Sequence, residues 1–337
     1  MLGRNSVLVF RDTQSNEETV YQLSDNQIYY YYVVSPNQEH LALTEGKTLA
    51  TTSDVIVLTP DGRQETKFSL PGDWTLFDWL SDEKLLSRQI RLRGDNLDLV
   101  AIDPITDEKE FLPSNFPNLY SNETLFFWGA LTIFDPTASL VVYPELKENT
   151  LTSIVWDVHG EKEIANIVGG EWPKWSPNRN RLLIVADQDA QLHRRFNEIF
   201  LVTPQGEVTR STFFKDNFEN SKISTPVWSH NGRYIAFWLS TVLPVKTARL
   251  AVLDTETSTV DLYCKEVDPF PYRMGENNTL GYAYYQVNSA PPIWSPDSKY
   301  LLIEDYQEFR SSTYLFVLQS HSITRIADNT RPVGWMK

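Results

Sequence analysis

Apolar residues in this chain come in runs of four or five, separated by short polar clusters, from one end to the other. Runs this short are too brief for one face of a stable helix and match strands of ordinary length. They also come in pairs around turn-forming residues, which predicts hairpins. Residues 7–10 pair with 20–23 across a polar stretch, and 55–58 pair with 67–70 through Thr59, Pro60, Asp61 and Gly62. Further hairpins begin at 99–102, turning at Asp103 and Pro104, and at 154–157, turning at His159 and Gly160. Others begin at 199–202 (turn at Pro204, Gln205, Gly206), at 250–253 (Asp254, Thr255) and at 314–317 (near His321). No stretch carries a long helical period, so the fold class is all-β.

A second pattern repeats between the hairpins. Its strong copies are 173–184, 226–237 and 292–303. In each, an aromatic (Trp175, Trp228 or Trp294) is followed by a serine (Ser176, Ser229 or Ser295), a tight turn and an apolar strand. Weaker copies are Val34-Ser35-Pro36-Asn37, Trp79-Leu80-Ser81-Asp82 and Phe134-Asp135-Pro136-Thr137, and a shortened one ends the chain at 332–337 with Trp335. Proline fixes φ at the first central turn position, and Asp or Asn tolerates the left-handed region beside it. The aromatic is suited to filling the wedge between neighbouring sheets. Repeats spaced by roughly 40 residues, with four strands each, are the signature of a β-propeller. Seven hairpins and seven turn units predict seven blades of mostly four antiparallel strands. The N-terminal hairpin has no turn unit before it and Trp335 has no hairpin after it, so the two are expected to pair and close the ring. Six blades is the alternative, in which the end segments cap an existing blade.

The Trp-Ser-Pro-Asx units at 175–184, 228–237 and 294–303 resemble the TolB-like propeller repeat, also found in the propeller domain of dipeptidyl-peptidase-IV-type enzymes. The resemblance runs over nearly the whole chain. The Asp-Gly usual in that turn is replaced here by Asn178-Arg179, Asn231-Gly232 and Asp297-Ser298. It implies the fold and says little of function, because such propellers serve as scaffolds, enzyme domains and sensors.

Repetition makes one domain over residues 1–337 the expectation, despite a length that allows two. The formal net charge is -14, which argues against a nucleic-acid binder. Cys264 is the single cysteine, so no internal disulfide forms, and its place at the end of an apolar strand predicts a buried thiol. The N-terminal residues carry no signal-peptide apolar region, and no apolar run reaches membrane-spanning length. The sequence as it stands reads as a cytoplasmic monomer, or as a periplasmic or extracellular protein, for example of a bacterial envelope, if an export signal was removed. No cofactor is implied.

In a propeller blade the first-to-second and third-to-fourth strand turns share one end, and the remaining connections share the other. Nearly all tight turns here belong to the first set and nearly all the length to the second, and long loops on a rigid scaffold are where function lives. The second-to-third-strand connections hold ten Lys or Arg and nine Asp or Glu, leaving the rest of the chain strongly negative. Arg88, Arg91 and Arg93, then His193, Arg194 and Arg195, then Lys246 and Arg249 predict a relatively basic surface that would attract an anionic ligand or an acidic partner patch. The insertion at 265–291 adds Tyr272, Tyr282, Tyr284 and Tyr285 beside several prolines, a composition suited to contact surfaces. There is no Gly-x-Ser-x-Gly elbow. His40, His159, His230 and His321 fall at the tight-turn end, so no histidine cluster is expected among the long loops. The reading is a non-catalytic scaffold binding a protein or a small anionic ligand on the long-loop face. The alternatives are a propeller hydrolase or lyase using carboxylates such as Asp95, Asp187, Asp189, Glu304 or Asp305, and a sensor domain from a larger envelope protein.

Overall fold

The structure, a computed structural model, describes residues 7–12, 15, 17–22, 29–46, 52–71, 74–89, 99–112, 133–147, 150–186, 198–218, 221–240, 248–267, 291–307, 310–330 and 332–337. Among the described residues there are six four-stranded antiparallel sheets, each in sequential strand order, and one two-stranded hairpin. The hairpin is β1 (Val7–Arg11) and β2 (Glu18–Gln22). Blade 1 is β3 (Tyr29–Val34), β4 (Leu41–Gly46), β5 (Thr52–Leu58) and β6 (Gln64–Pro71); blade 2 is β7 (Trp74–Trp79), β8 (Leu85–Gln89), β9 (Leu99–Ile102) and β10 (Lys109–Phe111). Blade 3 is β11 (Ile133–Phe134), β12 (Leu140–Lys147), β13 (Thr150–Asp157) and β14 (Lys162–Val168); blade 4 is β15 (Glu171–Trp175), β16 (Leu182–Ala186), β17 (Glu198–Val202) and β18 (Val208–Arg210). Blade 5 is β19 (Lys222–Trp228), β20 (Tyr234–Ser240), β21 (Ala248–Asp254) and β22 (Thr259–Val267); blade 6 is β23 (Ile293–Trp294), β24 (Tyr300–Gln307), β25 (Arg310–Val317) and β26 (Ser322–Asp328). All seven predicted hairpins are present. The described residues pack as two compact units: unit 1 holds the hairpin, blades 1 and 2 and Trp335–Lys337, and unit 2 holds blades 3 to 6.

Alternation along the strands builds the core of each unit. In β16, Leu182, Ile184 and Ala186 pack against blade 3, whereas Leu183 and Val185 pack against blade 5. In β20, Ile235, Phe237 and Leu239 join the cluster shared with blade 4, and Ala236 and Trp238 join the one shared with blade 6. A strand buried on both faces needs a continuous apolar run, which is what the sequence shows at these positions. Unit 1 repeats the arrangement, with Ala42, Val55 and Val57 against Leu76, Leu85, Val100 and Ile102.

The serine turn is a hydrogen-bonded device. In blade 5 the Ser229 hydroxyl donates to Asn231 Oδ1 at 2.7 Å and accepts from the Tyr234 N–H at 2.8 Å. The same pair of bonds recurs from Ser35, Ser176 and Ser295 to Asn37, Asn178 and Asp297. In blade 3 the polarity is exchanged: Asp135 takes the serine's place and accepts from both the Leu140 N–H, at 2.6 Å, and the Thr137 hydroxyl. Every one of these turns needs a left-handed residue, and Gln38, Ala138, Arg179, Gly232 and Ser298 fill it at φ 64, 54, 59, 70 and 60°. The side-chain clamp holds that conformation even where a Cβ is present, so the usual glycine is dispensable.

The repeat tryptophans join neighbouring blades. Trp228 Nε1 donates to the Lys174 carbonyl at 3.0 Å, and Trp294 Nε1 to the Val227 carbonyl at 3.3 Å. In unit 1, Trp79 Nε1 donates to Val33 O at 3.1 Å. The acceptor is each time the residue just before the repeat's aromatic position in the preceding blade. Trp175 departs from the rule, its buried Nε1 having no partner among the described residues. The turns interlock as well: Asn178 lies against Gly232, where an added Cβ would stand 3.2 Å from its Nδ2. The Asn231 N–H donates to Ser298 Oγ of blade 6 at 3.1 Å.

The structure carries the six-blade alternative, not seven. Among the described residues β1 and β2 pair only with each other, and 332–337 form no strand. Pro332 cannot donate to a ladder and Gly334 weakens one. The hairpin lies instead against the β5–β6 turn of blade 1: a Cβ on Gly62, at φ 76°, would stand 2.8 Å from the Phe10 ring and 3.2 Å from Thr19. Tyr21 also donates to Gln64 Oε1 at 3.4 Å. The chain end caps the serine turn of blade 1, the Lys337 N–H donating to Gln38 O at 3.0 Å.

Candidate binding site at the loop-bearing end

Polarity inside unit 2 is sorted by position along the strands. At the tight-turn end the buried polar side chains are those of the serine turns: Asp135, Ser176, Ser229, Ser295 and Ser298. The others, including Ser153, Glu171, Glu198, Ser221, Thr225, Ser240 and Asp305, lie from the strand midpoints to the opposite end, where the long connections leave. Glu198, fully buried at the start of β17, accepts from Arg210 Nη2 at 2.7 Å, Thr212 Oγ1 at 2.6 Å and the Phe214 N–H at 3.1 Å. That network pins the segment from β18 to β19, including a single 3-10 turn, Phe214–Asp216. Arg210 also stacks over the Phe213 ring, 4.5 Å from its centroid. Beside it, a cavity of about 300 Å³ is lined by Phe213, Phe214, Phe218, Val260 and Leu262 among others.

The first strands of blades 4 and 5 are both broken at one position. Trp172 and Pro173 together oppose the single residue Ile184, since Glu171 faces Val185 and Lys174 faces Leu183. Thr225 and Pro226 likewise oppose Phe237. In both, the residue two before the repeat tryptophan is a proline, which has no N–H for the ladder and suits a bulge. Each bulge puts the residue before proline in the left-handed region, Trp172 at φ 56° and Thr225 at φ 45°. For a β-branched residue that is an unfavourable backbone, of a kind that collects at functional sites. Thr225 is 5% exposed and its hydroxyl has no hydrogen-bond partner among the described residues; the same is true of Ser221, 1% exposed. Between them, half-buried Lys222 has its ammonium pushed below the usual lysine range by burial, an effect that Glu171 opposes.

No family model and no curated protein matches the chain in sequence. Solved structures do match. TolB from Acinetobacter baumannii superposes with a TM-score of 0.51 at 12% identity, over 95% of this chain and 75% of that one. Oligogalacturonate lyase from Vibrio parahaemolyticus gives 0.59 at 10% identity, over 97% and 86%. A prolyl endopeptidase gives 0.61 at 10% identity, over 96% of this chain and 46% of that one. By fold, the chain is a β-propeller. Identities this low bear on the fold alone.

Of the basic and tyrosine residues that the sequence nominated for binding, Arg249 is the one whose side chain is described: it lies exposed on β21, opposite Leu239 and Glu266. Arg88 is in β8, opposite Thr75 and Leu99. Arg91, Arg93, His193, Arg194, Arg195, Lys246, Tyr272, Tyr282, Tyr284 and Tyr285 lie outside the described residues, as do Asp95, Asp187 and Asp189. Glu304 and Asp305 are consecutive on β24 and so point to opposite faces; Glu304 accepts from Ser311 at 2.6 Å. His40, His159, His230 and His321 all sit at the tight-turn end, as expected. The sequence reading did not single out Lys222, Thr225 or Glu198. Pro173 and Pro226, visible two residues before each tryptophan, were the signal for the bulges.

Proposed function

We propose that this propeller is a non-catalytic scaffold whose loop-bearing end in unit 2 binds a small anionic ligand or an acidic patch of a partner protein. The observation that carries this reading is the sorting of polarity along the blades. Buried Glu198, Asp305 and Ser221 lie toward the loop-bearing ends of their strands and Thr225 at the midpoint of its own. The hydroxyls of Ser221 and Thr225 have no partner among the described residues, which is costly for packing alone. Lys222 and Arg249 supply positive charge there. Arg194, Arg195 and Lys246 belong to the connections that leave the same strand ends, adding basic character to an otherwise acidic chain.

The test is a fourfold charge reversal, Arg194→Glu, Arg195→Glu, Lys246→Glu and Arg249→Glu. Wild type and variant are immobilised and compared for retention of poly-L-glutamate and of proteins from the host lysate. Retention by wild type and at least tenfold loss in a variant with an unchanged circular dichroism spectrum supports the reading. Equal retention by both contradicts it.

A further inference from the structure

We infer that Asn231 is a latent deamidation site, held unreactive by the serine turn of blade 5 and released whenever that turn opens. An asparagine followed by glycine is the sequence most prone to this reaction, because no side chain shields the following nitrogen. The Gly232 nitrogen attacks Asn231 Cγ, ammonia leaves, and a succinimide forms; water then opens the ring to aspartate or isoaspartate. The attack needs a free Gly232 nitrogen and a carboxamide able to swing toward it.

The folded turn withholds both. The Gly232 N–H donates to the Ser229 carbonyl at 2.9 Å. The Asn231 carboxamide oxygen accepts from Ser229 Oγ at 2.7 Å and from the Arg233 N–H at 3.0 Å. The Asn231 N–H is bound in turn to Ser298 Oγ at 3.1 Å. Asn231 is nonetheless exposed, so water reaches it once the turn yields. Blade 4 supplies an internal control, since Asn178 makes the same serine contact but precedes Arg179. Blade 6 already carries an aspartate at the equivalent position: Asp297 accepts from Ser295 at 2.7 Å and from the Lys299 N–H at 3.1 Å, the bonds that Asn231 makes. An aspartate at 231 therefore refits the turn. Isoaspartate, with an extra backbone carbon, does not.

The test is peptide mapping by mass spectrometry of the full chain during incubation at 37 °C and mildly alkaline pH, folded and in urea. Deamidation at Asn231 should be at least tenfold slower in the folded chain than in urea, with Asn178 intact in both. Ser229→Ala should speed it several-fold in folded protein, and Ser298→Ala, which keeps the turn's own bonds, should do so less. Asn231→Asp should melt within about two degrees of wild type. Equal rates folded and unfolded, no acceleration in either serine variant, or a large loss of stability in Asn231→Asp would each overturn the inference.

Discussion

Replacing Trp228 and Trp175 separately with phenylalanine tests whether the repeat tryptophans act as hydrogen-bonding staples or only as bulk. Both changes remove the same atoms. At Trp228 the lost N–H served the Lys174 carbonyl at 3.0 Å, and that carbonyl is left without its indole donor. At Trp175 the lost N–H had no partner among the described residues. A buried hydrogen bond contributes about 0.5–1.5 kcal/mol net, and an orphaned partner adds to the cost. The expected excess for Trp228→Phe over Trp175→Phe is therefore about 1–2 kcal/mol. In a unit of this size that is roughly 3–6 °C in Tm. Trp294→Phe separates the two explanations: Trp294 is more buried than Trp228, at 3% against 9% exposed, yet its bond is longer at 3.3 Å. Hydrogen bonding ranks the cost Trp228, Trp294, Trp175; packing alone puts Trp294 first. Equilibrium urea unfolding followed by far-UV circular dichroism is the assay, because removing one of the ten tryptophans gives each variant a different fluorescence signal. A Trp175→Phe variant as costly as Trp228→Phe would refute the staple.

Single contacts give further outcomes. Gly206→Ala should destabilise by more than about 2 kcal/mol, since Gly206 is at φ 89° and its Cβ would stand 2.2 Å from Ile164 O; Gly232→Ala should cost under about 1 kcal/mol, because sister turns hold side chains at that φ, and calorimetric Tm values decide. In blade 3, Asp135→Ser and Thr137→Asn should each destabilise, while the double change restores the sister pattern and costs less than their sum, as a double-mutant cycle measures. The hydrogen bond from Arg233 holds Asp254 below its ordinary 3.8; a depressed carboxyl stabilises the fold above its unfolded value and loses that contribution as pH falls through the folded one. Arg233→Gln should therefore flatten the fall of urea midpoints below roughly pH 4, and an unchanged acid limb would count against the pairing.

What was legible in the sequence is what is local. Ser229, Asn231 and Tyr234 close their turn within a few residues, so the repeat announced itself, and each hairpin pairs strands a turn apart. The blade count was missed at the chain ends because Phe10 finds Gly62 and Lys337 finds Gln38 through contacts far apart in sequence, which no local pattern encodes. In unit 2, Arg249 was readable as a cation near the long connections from charge alone, although it lies within β21 and not in the loop expected there. Lys222 was not, since its altered ammonium depends on burial between packed blades. Thr225 was hidden for a similar reason: Pro226 marks a break in the ladder, but the left-handed φ and the unpartnered hydroxyl arise only once β20 fixes the register.

The central claim is that the loop-bearing end of unit 2 is the binding surface. Hydrogen–deuterium exchange of the full chain, with and without poly-L-glutamate, tests it most directly. The account predicts slower exchange at the start of β19, the end of β20 and the start of β21, with the serine turns unchanged. Protection confined to the serine-turn end, or none under conditions where the polyanion is retained, would contradict it.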